Sequence, residues 1–335
     1  MTTLSVRELR GPQAMDLLTG KWRELYAEDR LATPFQSADW LTACARQLPC
    51  TATPLVLTAV SPTGRIVAAL PLARHEDRMR PRISPLSVPH APCLRPIGPH
   101  ANDPAVARAF AFHVLLAAEQ EDADVALATV DTDSPLGQAL HLIGADISWT
   151  RTTPPRTAIL LPVHYNALPP SVQREHTRRR RTWTRLAANH TITYTRTRHM
   201  QDLAAAAAVW ADLQHRHGPQ DNPDTTDWVA VLEHQGAPQA SIATLSVDST
   251  VIAAQLCLTR GPHCYTLPFV ADPAHRHLAP GHALLRYLVD DLAADGIHTL
   301  HLDPTTSRRH ASRGQYGAVR PDARAALTPT RSAAA

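Results

Sequence analysis

Two stretches of this chain, roughly half its length apart, carry the same succession of local signals, so the fold must be one that can be built twice. IVAALPLAR from Ile66 corresponds to VIAAQLCLTR from Val251, and Trp40 and Trp228 stand in corresponding short helices ahead of those strands. Further on, DPAVARAFAFHVLLAAEQEDADVALATVD from Asp103 mirrors APGHALLRYLVDDLAADGIHTLHLD from Ala279. Each of these is a helix followed by a strand that ends in an acidic residue. A chain of 335 residues is long for one core and comfortable for two. The lobes divide in the segment from Arg151 to Pro170, where Pro154-Pro155 and Pro169-Pro170 bracket an extended apolar run from Ala158 to Val163. This places an N-terminal lobe at 1–160 and a C-terminal lobe at 161–335.

In the first lobe, Leu4 to Leu9 reads as a strand, and Pro12 to Asp29 as one helix with Met15, Leu18, Trp22, Leu25 and Tyr26 on a single face. Ser37 caps a second helix from Ala38 to Gln47. Leu55 to Val60 and Ile66 to Ala73 form a hairpin across Ser61-Pro62-Thr63-Gly64. The proline- and arginine-rich segment from Arg74 to Pro96 is expected to be an irregular loop.

In the second lobe, Asp227-Trp228 opens a helix, and Ser241 to Val247 and Val251 to Thr259 form a hairpin across Asp248-Ser249-Thr250. The aromatic and β-branched run from Cys264 to Val270 is a strand that stops at Ala271-Asp272-Pro273. From Gly281 the apolar residues Ala283, Leu284, Tyr287, Leu288 and Leu292 fall at helical spacing as far as Asp295-Gly296, and Thr299 to Asp303 is extended again. The intervening loop, Arg276-His277-Leu278-Ala279-Pro280-Gly281, runs into a helix N-terminus. Unpaired backbone N–H groups at the positive end of a helix dipole suit phosphate oxygens, and Gly281 lets the backbone come close to them.

Arg276-x-x-Ala279-x-Gly281 between a strand and a helix resembles the pyrophosphate loop of the GNAT acyltransferase superfamily, Arg/Gln-x-x-Gly-x-Gly/Ala, with Ala279 in place of the first glycine. The Ala-Pro-Gly variant before a leucine-rich helix is more similar to the CelD-type branch, whose members carry two GNAT-like lobes in one chain and are related to the Fem-type ligases. The resemblance implies an α/β fold of tandem GNAT-like lobes, each a mixed, mostly antiparallel sheet flanked by helices. It implies an acyltransferase that uses an acyl-CoA or another phosphopantetheine-linked acyl donor, such as an acyl-carrier protein, in a natural-product pathway. The acceptor is a small-molecule or peptide amine, or a hydroxyl. Phe269, Val270, Arg276, His277, Ala279, Gly281 and His282 are the cofactor-binding positions it points to. The first lobe has Gly98-Pro99-His100-Ala101-Asn102-Asp103-Pro104 at the equivalent place, without the arginine and the Pro-Gly, so the C-terminal lobe alone is expected to bind the donor.

The chemistry needs a polarised carbonyl, a base for the acceptor and a proton for the leaving thiolate. A backbone N–H freed near Phe269 to Ala271 serves the first need. Strand alternation puts Thr299, His301 and Asp303 on one face and His298, Leu300 and Leu302 on the other, so either His301 or Asp303 is the base. Many GNAT enzymes carry the acid tyrosine four residues before a Gly-Phe pair. Here that position falls on Arg313, which leaves Tyr316 as the candidate, with Tyr265 one strand over as another.

Arg174, Arg178, Arg179, Arg180, Arg181 and Arg185 lie on a helix from Ser171 to Ala188. Four consecutive arginines sweep about 300° around a helix axis, so at least one of Arg178 to Arg181 points inward. The others form a solvated face or meet an acidic partner, such as a carrier protein, a tRNA backbone or the 3′-phosphate of coenzyme A. A net charge of only +3 places tRNA behind the carrier protein, and a tRNA-dependent aminoacyl ligase of the Fem type, or a non-catalytic binding protein, stands as the alternative. Five scattered cysteines fit reduced thiols rather than a disulfide framework, and His215-x-His217 lacks a third ligand, so no metal is expected. The arginine-rich, Ala- and Pro-rich usage suggests a GC-rich bacterial genome. With neither a signal peptide nor an apolar run long enough for membrane insertion, the expected location is the cytoplasm.

Overall fold

The computed structural model describes residues 4–76, 80–87, 94–127, 130–131, 133–143, 147–151, 156–217, 240–302, 320–322 and 327–331. The chain forms two compact units, Met1–Pro155 with Ala323–Ala335, and Arg156–Asp322. Trp228, Asp303, Arg313 and Tyr316 lie outside the described residues.

Unit 1 begins with β1 (Ser5–Arg10), α1 (Pro12–Thr19), α2 (Trp22–Glu28) and α3 (Ala38–Arg46). The hairpin β2 (Ala52–Val60) and β3 (Ile66–His75) follows, then β4 (Arg82–Pro85), α4 (Pro104–Gln120), β5 (Asp124–Val125), α5 (Pro135–Ile143) and β6 (Ile147–Arg151). The sheet order is β1-β2-β3-β4-β5, antiparallel except for the parallel pair β4/β5. Leu55, Leu57, Leu70 and Leu72 of the sheet pack against Val106, Phe110 and Val114 of α4, which recur every fourth residue and therefore share one helix face.

Two expectations need correction here. The single helix from Pro12 to Asp29 is two helices, broken at Gly20, where φ −104° and ψ −103° leave the helical region and an added Cβ would stand 2.9 Å from the Asp16 carbonyl oxygen. The break turns Trp22 inward, where its Nε1–H donates to the Gln36 carbonyl at 2.8 Å. The segment from Arg74 to Pro96 is not irregular throughout, because Arg82–Pro85 pairs with β3 on one side and β5 on the other. A strand of four residues ending in proline carries too little alternation to be read from sequence.

Unit 2 contains β7 (Arg156–Leu160), α6 (Pro170–Leu186), β8 (Ile192–Thr197), α7 (Met200–His217), β9 (Ala240–Val247), β10 (Thr250–Arg260) and β11 (His263–Ala271). It continues through α8 (Pro280–Ala294), β12 (Thr299–His301) and β13 (Arg320–Asp322). Its sheet order is β13-β7-β12-β11-β10-β9-β8. Strands β8 to β12 repeat the order and directions of β1 to β5, antiparallel up to a final parallel pair, and α8 joins β11 to β12 as α4 joins β4 to β5. The repeat read from sequence is thus a repeat of topology. Asp248 and Ser249, at φ 49° and 67°, make the tight turn that matches the twist of β9 and β10.

An ion-pair network ties α8 to the edge strand β8. The Arg196 guanidinium, 3% exposed, meets Asp291 at 3.0 Å and also Asp295, and the Tyr194 hydroxyl donates to Asp291 at 2.9 Å. The last strand, β14 (Leu327–Arg331), pairs antiparallel with β6 in unit 1.

Candidate functional site

Strands β11 and β12 lie together for three residue pairs, His263↔Thr299, Cys264↔Leu300 and Tyr265↔His301, and then part, because β12 ends while β11 runs on to Ala271. The parting coincides with a bulge. Gln255 of β10 faces Phe269, yet Cys257 faces Thr266, so Leu267 and Pro268 together oppose Leu256. The Gln255 side chain, 3% exposed, locks this irregularity by donating its amide to the Leu267 carbonyl and to the Leu256 carbonyl at 3.2 Å. Beyond the bulge the Asp272 N–H donates to the Ile252 carbonyl at 2.9 Å. Antiparallel alternation then turns the N–H groups of Phe269 and Ala271 away from β10, toward the edge where, among the described residues, no strand continues beside β11 past His301.

At the end of β11, Asp272 caps a short 3₁₀ helix (Pro273–Leu278), its carboxylate accepting the Ala274 N–H at 2.9 Å and lying 3.2 Å from His275 Nδ1. The Ala274 bond, followed by His275, holds the Asp272 carboxyl below the usual range. His217 Nε2 of α7 lies 3.9 Å from the same carboxylate, and no group of three potential metal ligands occurs among the described residues.

Ala279 then takes the left-handed conformation at φ 51° and ψ 56°, and α8 starts at Pro280. The N-cap of α8 is therefore a residue with no side-chain acceptor. His282 and Ala283 turn their N–H groups back to the Ala279 carbonyl at 3.0 and 3.3 Å, while the Gly281 N–H finds no acceptor among the described residues. Arg276 and His277 are exposed beside it. The Phe269 ring lies against Gly281 so closely that an added Cβ would stand 2.6 Å from its Cζ. The counterpart in unit 1 is built differently: Asp103 caps α4 with its own carboxylate, accepting the Ala105 N–H at 2.8 Å. A helix start already holding an anionic side chain is closed to a second anion, and one capped by alanine is open.

Helix α6 supports this loop from one side. Val172, His176, Arg179 and Trp183 fall on one stripe of the helix. Trp183 Nε1–H donates to the Leu278 carbonyl at 3.1 Å, and the His176 ring meets that of His282, in the first turn of α8, at 5.0 Å. Tyr165 closes the row, 5.3 Å from His176, with the Arg286 guanidinium 5.2 Å from its ring centre and its hydroxyl donating to Asp290 at 3.2 Å. Burial first, then Asp290, pushes the Tyr165 hydroxyl pKa well up. Of the four consecutive arginines, Arg179 is the one on the inward stripe, pairing with Glu175 at 2.6 Å, and Arg178, Arg180 and Arg181 are exposed. Hydrogen bonds from Arg178 and then Arg179 push the Glu175 carboxyl down to about 2.

At the point where the strands part, the His301 ring stacks on that of Tyr265, 4.4 Å apart and 8° from parallel, and its Nε2 lies 3.4 Å from His263 Nδ1. Leu300 and Leu302 are buried, and His301 is half-buried on the opposite face of the strand. The structure thus gathers Phe269, Ala279, Gly281 and His282 at one loop, and puts His301 at the base of the fork. Sequence reasoning passed over Gln255, Trp183, His176 and His263. Gln255 carried a signal, as the lone amide in the apolar run Ile252 to Leu258.

A strand fork with an open helix start at its mouth, in a chain that repeats one topology twice, is the fold of the tandem GNAT proteins. Residues 172–308 match the acetyltransferase (GNAT) domain family. Among solved structures the chain is similar to a tandem GNAT protein from the clavulanic acid biosynthesis pathway, at 14% identity over 98% of both chains and a TM-score of 0.52. It is also similar to FemX, at 10% identity over 84% of this chain and 86% of that one, TM-score 0.54. A third is the C-terminal domain of a putative lysylphosphatidylglycerol synthetase from Agrobacterium fabrum, at 12% identity over 92% and 89%, TM-score 0.51. At such identities the likeness is one of fold. A comparison with curated proteins finds no match.

Proposed function

We propose that this chain transfers an acyl group from a phosphopantetheine thioester, carried by coenzyme A or by an acyl-carrier protein, to an amine or hydroxyl acceptor. The observation that carries this reading is the contrast between the two helix starts, with α4 closed by Asp103 and α8 left open behind Ala279 at the mouth of the β11/β12 fork. The pyrophosphate rests on the Gly281 N–H, with Arg276 and His277 beside it, and His282 fixes the first turn of α8 against α6. The pantetheine arm lies along the open edge of β11, past Phe269 and Val270. There the outward N–H groups hold the carbonyl oxygen as it takes negative charge.

The acceptor nitrogen or oxygen attacks the thioester carbon, its proton passes to the base, the C–S bond breaks, and the thiolate takes up a proton as it leaves. His301, at the base of the fork, is the base that the described residues provide, and Asp303 and Tyr316 are retained for the base and acid roles. Arg178, Arg180 and Arg181 form the basic surface available to an acidic donor. No helix among the described residues is long and apolar enough to cross a membrane, and we place the reaction in the cytoplasm.

The test is calorimetric titration with coenzyme A, a series of acyl-CoAs and an acylated carrier protein, repeated with Arg276→Glu. Arg276 is exposed, so its reversal changes charge without disturbing packing. A change at Gly281 would instead strike Phe269. Binding that weakens by about tenfold in the variant supports the reading. If none of these donors binds while an aminoacyl-tRNA does, the reading gives way to the ligase.

A further inference from the structure

We propose that the outer face of α6 is the docking surface for an acidic carrier protein that delivers the thioester. The inference rests on the proposed function and decides between the two donors it names. Helix α6 has two opposed stripes. Val172, His176 and Trp183 face inward, and Trp183 ties the helix to the donor loop through the Leu278 carbonyl at 3.1 Å. On the other side, Arg174, Arg178, Arg181 and Arg185 recur at alternating helical intervals, which holds them within a sector of about 60° along about 16 Å of helix axis. All four are exposed.

The rest of the chain leaves this charge largely unanswered. Arg178 meets Glu175 at 2.9 Å, whereas Arg174, Arg181 and Arg185 make no ion pair among the described residues. Other arginines are held: Arg74 meets Glu121 at 2.6 Å, Arg95 meets Asp29 at 3.1 Å and Arg196 meets Asp291 at 3.0 Å. Like charges three and four residues apart on a helix repel one another, so the row opposes the helix that carries it. Arg185, in the last turn, is offset by the negative end of the helix dipole. Arg174, near the other end, has no such offset.

An anionic partner relieves that repulsion. A row this narrow fits carboxylates spaced along one helix of another protein, where side chains recur at the same intervals. A nucleic acid fits less well, because its backbone is met by a broad basic surface and its unpaired bases by aromatic side chains. The indole of Trp183 is turned inward, and the whole chain carries a net charge of only +3. The place of the row decides the kind of protein. It lies one helix thickness, about 10 Å, from the loop that takes the donor's phosphate. A carrier protein seated there brings the phosphodiester of its prosthetic arm to the Gly281 N–H and feeds the thioester along β11 into the fork.

The test compares two probes that share the arm: coenzyme A, and the phosphopantetheine-bearing form of an acidic acyl-carrier protein of fatty-acid synthesis. The variant is Arg174→Glu combined with Arg185→Glu, which reverses charge at both ends of the row on exposed side chains and should leave the melting temperature unchanged. By calorimetry the carrier should bind the parent with an affinity that falls as salt is raised, and the variant about tenfold more weakly, while coenzyme A binds both alike. Arg276→Glu should weaken both probes, since each places a phosphate at the loop. Coenzyme A binding without carrier binding, or equal carrier binding by parent and variant, overturns the docking surface and leaves the proposed function standing. Bulk transfer RNA that binds the parent more tightly than the carrier does, and loses that binding in the variant, overturns the choice of partner. If neither coenzyme A nor the carrier binds the parent, the functional reading itself falls and this inference with it.

Discussion

At the scale of single residues, the loop before α8 is a compromise between the backbone it needs and the side chains it has. Ala279 occupies a left-handed conformation that costs an L-residue with a Cβ roughly 1–2 kcal/mol. Ala279→Gly should therefore raise stability by up to about 1 kcal/mol, the gain being reduced by glycine's greater freedom in the unfolded chain, and lift the melting temperature by about 2–4 °C. A calorimetric scan of the two proteins checks this, and a lower melting temperature for the glycine variant would count against the strain. Gly281 stands at the opposite limit, since any Cβ there collides with the Phe269 ring. Gly281→Ala should lose donor binding and cost about 1–3 kcal/mol, relieved only by swinging the ring off the loop. Gly281→Ala combined with Phe269→Leu should recover most of the stability, which a double-mutant cycle measures directly.

At the scale of elements, the fork depends on an irregularity that a polar side chain holds in place. Gln255 is buried, and replacing it by leucine leaves the Leu267 and Leu256 carbonyls without its amide in an apolar interior, at a cost of about 1–3 kcal/mol. With the bulge free to relax, the outward N–H groups of Phe269 and Ala271 shift, so kcat should fall more than donor affinity does. Steady-state kinetics beside direct binding separates the two. Helix α6 brings a pH dependence of defined sign. The Glu175 carboxyl is lowered in the folded chain to about 2 from an ordinary 4.5, so its contribution is fully present above about 4.5 and lost as pH falls toward 2. Because the pair is near the surface the effect should be small, on the order of a few tenths of a kcal/mol, and should vanish in Glu175→Gln when melting is compared at the two ends of that window.

What the sequence made legible at this scale was what periodicity encodes. The hairpins β2/β3 and β9/β10, strand β11, helix α8 and the loop residues Arg276 to Gly281 all stand where alternation, helical spacing and turn residues put them. What escaped depends on register between distant segments. His263 meets His301 because it lies diagonal to it across a parallel pair, and Trp183 meets Leu278 because α6 lies on a loop some 95 positions away. No local pattern in either segment records those meetings. Strand β7 likewise shows only an apolar run, and nothing in it announces that Ala158 pairs with His301.

At the scale of the whole molecule, the two compact units are not two consecutive halves of the chain. Unit 2 closes at Asp322, and the remaining tail belongs to unit 1, where Leu327–Arg331 pairs residue for residue with Ile147–Arg151. Among the described residues β14 is the sole strand beside β6. A two-stranded ribbon is marginal without its partner, since an edge with no neighbour has its amides returned to water. A chain ending at Asp322 should therefore lose exchange protection over residues 147–151 while β9, β10 and β11 keep theirs, because their ladders and the core beneath α8 lie wholly within unit 2. Hydrogen–deuterium exchange with peptide-level readout resolves the two regions in a single experiment. Protection lost equally across both units would mean that the tail supports the chain as one cooperative body, and protection retained at 147–151 would mean that β6 is held by something other than β14.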